Sequence, residues 1–190
     1  MAQPVAAESL CSCGQVLDAN NAHALACRRG AGKQIRHRIL IEFVRRAFLA
    51  AVMPVLLELT DLSRKDGKRP DGVTVLPFRN GRALSWDATC VHPLAASYVD
   101  VASKAPKAVA ALAETRKRSK YLPVLDRVDI VPLAVETTGA VGLSFLELLR
   151  ELSIRIEGRG GGVSAYRLLL RELSAAVQLG NAICVLELHG

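Results

Sequence analysis

The sequence predicts an α/β (α+β) domain whose core runs helix, three strands, helix, strand (αβββαβ), with a metal-binding knuckle before it and a helical hairpin after it. Three observations predict this. Apolar residues recur every three to four positions over 33–53 and 106–121, the helical period. Apolar runs at 55–59, 71–77, 82–91 and 130–136 have strand length and are punctuated by Pro, Gly and Asn. Four residues of metal-ligand type crowd between positions 11 and 27, where little else could hold a fold. The expected divisions are 1–30 for a loose N-terminus and the knuckle, 31–138 for the core, and 139–190 for the hairpin.

In the knuckle, Cys11-Ser12-Cys13 is followed by His23 and, four residues on, by Cys27. Three thiolates and one imidazole complete a tetrahedral zinc site, and a short segment with almost no core needs such a staple. His23 and Cys27 share one face of a short helix over 21–27. The Cys-x-Cys half is tighter than the usual two-to-four-residue gap, and three reduced cysteines beside a surface histidine are the alternative. Cys90 and Cys184 bring the total to five, an odd number that suits a reducing, intracellular compartment rather than a disulfide framework. Gly30-Ala31-Gly32-Lys33 is not a phosphate loop, because Cys27 stands where the first glycine would and Gln34 replaces the Ser/Thr. It reads as a hinge into the next helix.

The net charge of +7 is unevenly spread. Arg28, Arg29, Lys33, Arg36, Arg38, Arg45 and Arg46 stand against a single acid, Glu42; Arg64, Lys65, Lys68 and Arg69 form a second cluster, and Arg116, Lys117, Arg118 and Lys120 a third. Separated basic clusters that a fold brings together suit a polyanion, with solvated basic faces as the alternative. The expected contacts to DNA, or to RNA, are Arg28, Arg29, Lys33, Arg36, Arg38, Arg64, Lys65, Lys68 and Arg69. With 51% of its 190 residues hydrophobic, the chain is expected to bury a core. No apolar run approaches the roughly 18 residues of a membrane span, and the N-terminus has no basic stretch followed by an apolar core. Neither a membrane partner nor a secretory route is therefore expected.

The first core helix places Ile35, Ile39 and Phe43 on a stripe with Leu40, Val44, Ala47 and Ala51, leaving Arg36, Arg45 and Arg46 off it. Pro54 stops that helix. Strand 55–59 follows, with Glu58 either pointing outward or facing the site. The loop over 60–69 is polar and basic, suited to reach phosphate. Strands 71–77 and 82–91 then form a hairpin whose register is decisive. A strict two-residue Asn80-Gly81 turn pairs Asp71 with Cys90 and throws Asp87 to the opposite face. A three-residue loop, Arg79 to Gly81, pairs Phe78 with Arg82, Val73 with Asp87 and Asp71 with Thr89. Both carboxylates then lie on one face as diagonal neighbours, so that loop or an equivalent bulge is expected.

Two close carboxylates repel until one takes up a proton. Magnesium or manganese between them turns the repulsion into affinity, because hard cations select oxygen, and would activate water and stabilise charge on a phosphate. A turn-forming Asp71 and a strand-end Asp87 are the plain alternative. On the following helix Pro106 suits the first turn, and Val109, Leu112 and Ala113 make its apolar face. Steps of four from Ala113 reach Lys117 and Tyr121, with Lys120 beside Lys117. A lysine here could neutralise a transition state; a basic helix end complementing the macrodipole is the alternative. The apolar strand 130–136 is expected to be central.

This order of elements, together with particular residues, resembles a known family. Those residues are the Cys-Cys-His-Cys knuckle, Arg36-His37-Arg38, Arg69-Pro70-Asp71, Trp86-Asp87-Ala88-Thr89, and Lys117 followed four residues later by Tyr121. Over residues 11 to about 136 the chain resembles the restriction-like endonuclease of certain non-LTR retrotransposon polyproteins, a branch of the PD-(D/E)XK superfamily. The resemblance implies Asp71 and Asp87 as ligands of magnesium (or manganese), Lys117 as the catalytic lysine with Lys120 as its competitor, and a zinc knuckle that contacts nucleic acid. It also implies nicking of DNA to prime reverse transcription, a nuclear location, and a place in a larger reverse-transcriptase polyprotein. Thr89 stands where the superfamily usually carries its lysine, so the lysine would come from the helix.

At the C-terminus, Phe145, Leu148, Leu149, Leu152 and Ile156 mark one amphipathic helix, and the glycine-rich 158–162 breaks it. A second helix over 164–179 carries Leu168, Leu169, Leu173 and Val177. The hairpin is expected to pack on the core, covering a sheet edge, or to mediate a homodimer.

Overall fold

A four-stranded mixed sheet with helices on both faces positions every residue of interest. The computed structural model describes residues 10–11, 13–17, 22–27, 29–57, 69–121, 129–158 and 164–189. Arg28, Glu58, Arg64, Lys65 and Lys68 lie outside the described residues. The elements are α1 (Ala22–Ala26), α2 (Ala31–Ala50), β1 (Val55–Leu57), β2 (Gly72–Thr74), β3 (Leu84–Val91), α3 (Val99–Ala102), α4 (Ala108–Tyr121), β4 (Asp129–Glu136), α5 (Leu143–Glu157) and α6 (Ala165–His189). The sheet order is β1-β2-β3-β4. Both hairpin pairs are antiparallel, and β3 runs parallel to β4, joined by a crossover that contains α4, as a parallel pair requires.

Alternation along β3 and β4 divides the core. Leu84, Trp86 and Ala88 of β3, with Val131, Leu133 and Val135 of β4, meet Phe43, Val44 and Phe48 of α2, Phe145, Leu148 and Leu152 of α5, and Leu169, Leu173 and Val177 of α6. The opposite face holds a smaller cluster, in which Val91 and Ala134 pack on Val109, Ala110 and Ala113 of α4. Glu136 joins strand to helix there: its Oε1 accepts the Ala110 N–H at 3.1 Å, satisfying an amide in the first turn of α4. Trp86 is fully buried and stacks on Phe48 at 4.7 Å between centroids. Its ring lies across Gly72 so closely that a Cβ there would fall 2.2 Å from Cζ2, so only glycine fits directly opposite the indole.

The hairpin differs from expectation in its turn and agrees in its consequence. The turn has two residues: Arg79 and Arg82 pair, Arg82 N–H donates to Arg79 O at 2.8 Å, and Asn80 (φ 49°) and Gly81 (φ 73°) are both left-handed, as a type I′ turn demands. Yet the strands pair Gly72 with Trp86 and Val73 with Ser85. Between those pairs and the turn lie five residues, Thr74 to Phe78, on one side and two, Ala83 and Leu84, on the other. That surplus of three is odd, so it inverts the facing that the turn alone would set. Thr74 pins the excursion: its Oγ1 donates to Leu76 O at 2.7 Å and accepts the Leu84 N–H at 3.0 Å. Beyond that register the Asp71 N–H donates to Trp86 O at 2.9 Å, which sets Asp71 beside Trp86 and Asp87 rather than opposite Thr89.

Three further differences concern helices. The stretch from Pro93 to Ser103, expected as a link, contains α3, and α4 begins two residues beyond Pro106. The second C-terminal helix extends ten residues past its expected end, to His189. The C-terminal pair lies on the face of the sheet and along α2, not over a sheet edge, because its apolar stripes belong to the main core. By length and composition α6 is long and apolar enough to cross a membrane, a test that a core helix also passes. A third of that window is buried inside the protein, through Leu169, Leu173 and Val177 among others.

Candidate functional site

Asp87 is the hub. It points from β3 towards α4 with 3% of its side chain exposed. Lys117 Nζ donates to its Oδ1 at 2.5 Å and Lys120 Nζ to its Oδ2 at 3.0 Å. Tyr121, fully buried at the end of α4, hydrogen-bonds to Oδ2 as well. The same phenol lies 2.9 Å from the Arg69 carbonyl and accepts from Lys120 at 2.6 Å. Helical spacing explains the convergence, since Lys117, Lys120 and Tyr121 are three and four apart and share a face. Both lysines weighed from sequence therefore reach the same carboxylate.

Asp71 enters from the residue before β2. Its Oδ2 accepts the Ala88 N–H at 2.6 Å, and its Oδ1 lies 3.5 Å from His37 Nε2 on α2. Burial first, and the Asp87 charge second, push its carboxyl up to about 7, although Ala88, Lys117 and Lys120 pull the other way. Asp87 is also penalised by burial, but Lys117, Tyr121 and Lys120 together hold it below the usual carboxylate range. Below about pH 7 the pair thus keeps a proton on Asp71 and a charge on Asp87. Burial and the nearby Lys117 charge lower the His37 imidazole, so its contact with Asp71 is a neutral one rather than an ion pair.

The raised Asp71 makes stability depend on pH with a definite sign. Folding moves its pKa from 3.8 to about 7, so the folded state holds the proton more tightly than the unfolded one. That stabilisation is whole below about pH 4 and is lost as pH rises to about 7. Asp71→Asn keeps an acceptor for Ala88 and removes the charge. The variant is expected to melt above wild type at pH 8, by an amount on the order of several degrees, with the gap closing towards pH 4. Thermal unfolding across that range checks it; parallel profiles would mean Asp71 does not titrate as described.

Beside this pair lies a cleft of about 530 Å³ whose lining includes Lys33, His37 and Arg38 of α2 and Arg69, Pro70 and Asp71 on the approach to β2. Lys33, Arg38 and Arg69 are exposed, as is Arg29 farther towards the knuckle. Arg36, expected among the nucleic-acid contacts, is not available for that role. It is 3% exposed; its guanidinium donates to Leu25 O of α1 at 3.0 Å and to Asn181 Oδ1 of α6 at 3.4 Å. Its stem packs where Gly180 leaves room, since a Cβ there would fall 2.5 Å from Arg36 Cγ. The buried stripe of α2 in fact runs through Arg36, Leu40, Phe43, Val44 and Ala47, so Arg36 lies on it, while Ile35 and Ile39 are only half-buried.

Cys11, Cys13, His23 and Cys27 converge, with one ligand atom of each within 4.8 Å of the others. A tight hairpin makes the first half: Leu10 bridges to Val16, Cys11 N–H donates to Gln15 O, and Gly14 N–H donates to Cys11 O, each bond 2.8 Å. The short α1 makes the second half, with Cys27 N–H on His23 O at 2.7 Å. Cys11 Sγ lies 3.6 Å from Cys27 Sγ, and Cys13 Sγ lies 3.2 Å from His23 Nε2. A tetrahedron with Zn–S of about 2.3 Å has edges of about 3.8 Å, so this cluster could bind a metal such as zinc. The Cys13 backbone amide chiefly draws the Cys11 thiol down to about 6, favouring the thiolate that a metal needs.

No protein-family model matches the chain, and no curated protein matches its sequence. Two participants in the acidic site were not assigned from sequence, His37 and Tyr121. For His37 the signal was its place four residues after Lys33, on the face that turns to the cleft. For Tyr121 it was the step of four from Lys117.

Proposed function

We propose that the protein is a metal-dependent DNA endonuclease, hydrolysing phosphodiester bonds on a PD-(D/E)XK-type core of the retrotransposon restriction-like kind, with zinc in its Cys/His cluster. One observation carries this reading. Asp71 from the approach to β2, Asp87 from β3 and Lys117 from α4 converge beside a cleft lined by Lys33, Arg38 and Arg69. A non-catalytic nucleic-acid-binding module would share the knuckle and the basic cleft, but would have no need to oppose two buried carboxylates against their own repulsion.

The donor chemistry fits a hard cation. Magnesium or manganese takes one or two carboxylates and completes its shell from water and phosphate, and Asp71 and Asp87 are neighbouring acids whose repulsion a cation relieves. When bound between them it would supply a nucleophilic water and stabilise charge on the phosphate. The chain's own residues do the rest. Lys33, Arg38 and Arg69 bind backbone phosphates and set the strand's register without reading its bases. Lys117 offers a point charge to the reacting phosphate, with Lys120 beside it on the same carboxylate. Tyr121 holds Asp87 in orientation, and a zinc-filled knuckle next to Arg29 extends the contact surface. The resemblance adds nicking in the service of reverse transcription.

Affinity for duplex DNA measured against salt tests the binding half of this reading. Lys33→Gln and Arg38→Gln are each expected to lower the slope of log K on log salt by about 0.9. Arg36→Lys is expected to leave the slope unchanged, because that side chain faces inward. A wild-type affinity indifferent to salt would end the nucleic-acid reading.

A further inference from the structure

The acidic site is neutralised by its own chain. Both oxygens of Asp87 accept from ammonium groups, Oδ1 from Lys117 at 2.5 Å and Oδ2 from Lys120 at 3.0 Å, and Oδ2 also meets the Tyr121 phenol. Oδ2 of Asp71 takes the Ala88 amide, and its Oδ1 faces His37. Asp87 is thus met by two ammonium groups, each within 3.0 Å of one of its oxygens. A divalent cation approaching this pair meets two ammoniums already in place, in a site where Asp87 is almost wholly shielded from water. A phosphate meets the opposite field, and the neighbouring cleft adds Lys33, Arg38 and Arg69 to it.

We propose that Lys117 and Lys120 are built-in competitors of the catalytic cation for Asp87, so that the cation binds well only when the phosphates of a nucleic-acid strand draw the lysines off. This rests on the endonuclease reading and adds an order of events: strand first, cation with it or after it. Each lysine thereby has two positions, on Asp87 in the resting protein and on phosphate in the complex. The long flexible stem of lysine allows that exchange, since its ammonium is a compact charge with three rotatable donors. A cation stored on the free protein could act on any phosphodiester that drifted past. Ordered loading confines activity to a strand already seated in the basic cleft.

The test reads manganese binding directly, by electron paramagnetic resonance of the free ion, at pH 8 and with no turnover required. Wild-type protein alone is expected to bind manganese at the acidic site at least about tenfold more weakly than protein with a short DNA duplex, after subtracting the ion held by duplex alone. Lys117→Gln, and more so Lys117→Gln with Lys120→Gln, is expected to tighten binding to the free protein by about tenfold, although a cutting assay would show these variants impaired. Asp87→Asn identifies the signal, and far-ultraviolet circular dichroism verifies that each variant is folded. Equal manganese affinity with and without duplex, or no tightening in a folded Lys117→Gln, would overturn the proposal. Those outcomes leave the endonuclease reading standing, because that reading fails on a different result: magnesium-dependent nicking that survives Asp87→Asn.

Discussion

Asp87→Ala is expected to lower magnesium-dependent nicking of supercoiled plasmid by about a thousandfold or more, the scale of losing a group that both holds a cation and stabilises charge in the transition state. Among the described residues no neighbour can replace it. Asp71 sits on another strand with one oxygen committed to the Ala88 amide, and Glu136, farther along the same face, is committed to the first turn of α4. The substitution also takes the shared carboxylate from two ammoniums and a phenol, although the phenol keeps the Arg69 carbonyl and Lys120 keeps the phenol oxygen. About 2–3 kcal/mol of stability should go with it, less than for a fully buried pair because each lysine is about a quarter exposed. Asp87→Asn separates the two effects: it fills the space and accepts one hydrogen bond, so it should melt closer to wild type while cutting no better than alanine. Gel conversion of supercoiled to open-circular plasmid, beside thermal unfolding, measures both. If Asp87→Asn nicks at the wild-type rate, the site is assigned to the wrong residues.

Loss of metal from the Cys/His cluster is the second large effect. Cys27→Ser is expected to reduce zinc in fully reduced protein from about one per chain to a small fraction of that, and to lower the melting temperature by on the order of 10 °C. Removing metal from wild type with a strong chelator should reproduce the shift. The effect should exceed that of fraying one terminal segment, because the knuckle is not a free appendage. Arg36 ties Leu25 O in α1 to Asn181 in α6, and Asn181 in turn donates to Thr137 O just beyond β4 at 2.8 Å. A loosened α1 would take the Leu25 carbonyl from the buried Arg36 guanidinium. Metal analysis and calorimetry check the pair of expectations; wild-type melting in the zinc-free variant would show that the cluster is not structural.

Much of the arrangement was legible in the chain because it rests on short-range periodicity. The step of four from Ala113 to Lys117 and Tyr121 is a property of any α-helix, and it carried the lysines to the correct face. The spacing of His23 and Cys27 did the same for the knuckle. Arg36 was not legible as a core residue. Its helical position placed it in line with Leu40 and Val44, but a charged side chain is ordinarily read as solvated, and its partners are a carbonyl 11 residues away and an amide 145 residues away. His37 was visible as part of a basic triplet, while its role depends on Asp71, a residue on a different element.

The sequence by itself determined the element types, the ligand set of the cluster and the candidate acids, because these follow from local spacing and side-chain chemistry. Only the tertiary structure decided how the acids meet. The Asn80-Gly81 turn read locally sends Asp71 and Asp87 to opposite faces, and the turn is indeed of that kind. The odd excursion from Thr74 to Phe78 restores them to one face, held by Thr74 and by the fit of Gly72 beneath the Trp86 ring. A strand's facing has period two, so an odd surplus of residues along the hairpin reverses it, and that surplus is held by Thr74 outside the turn.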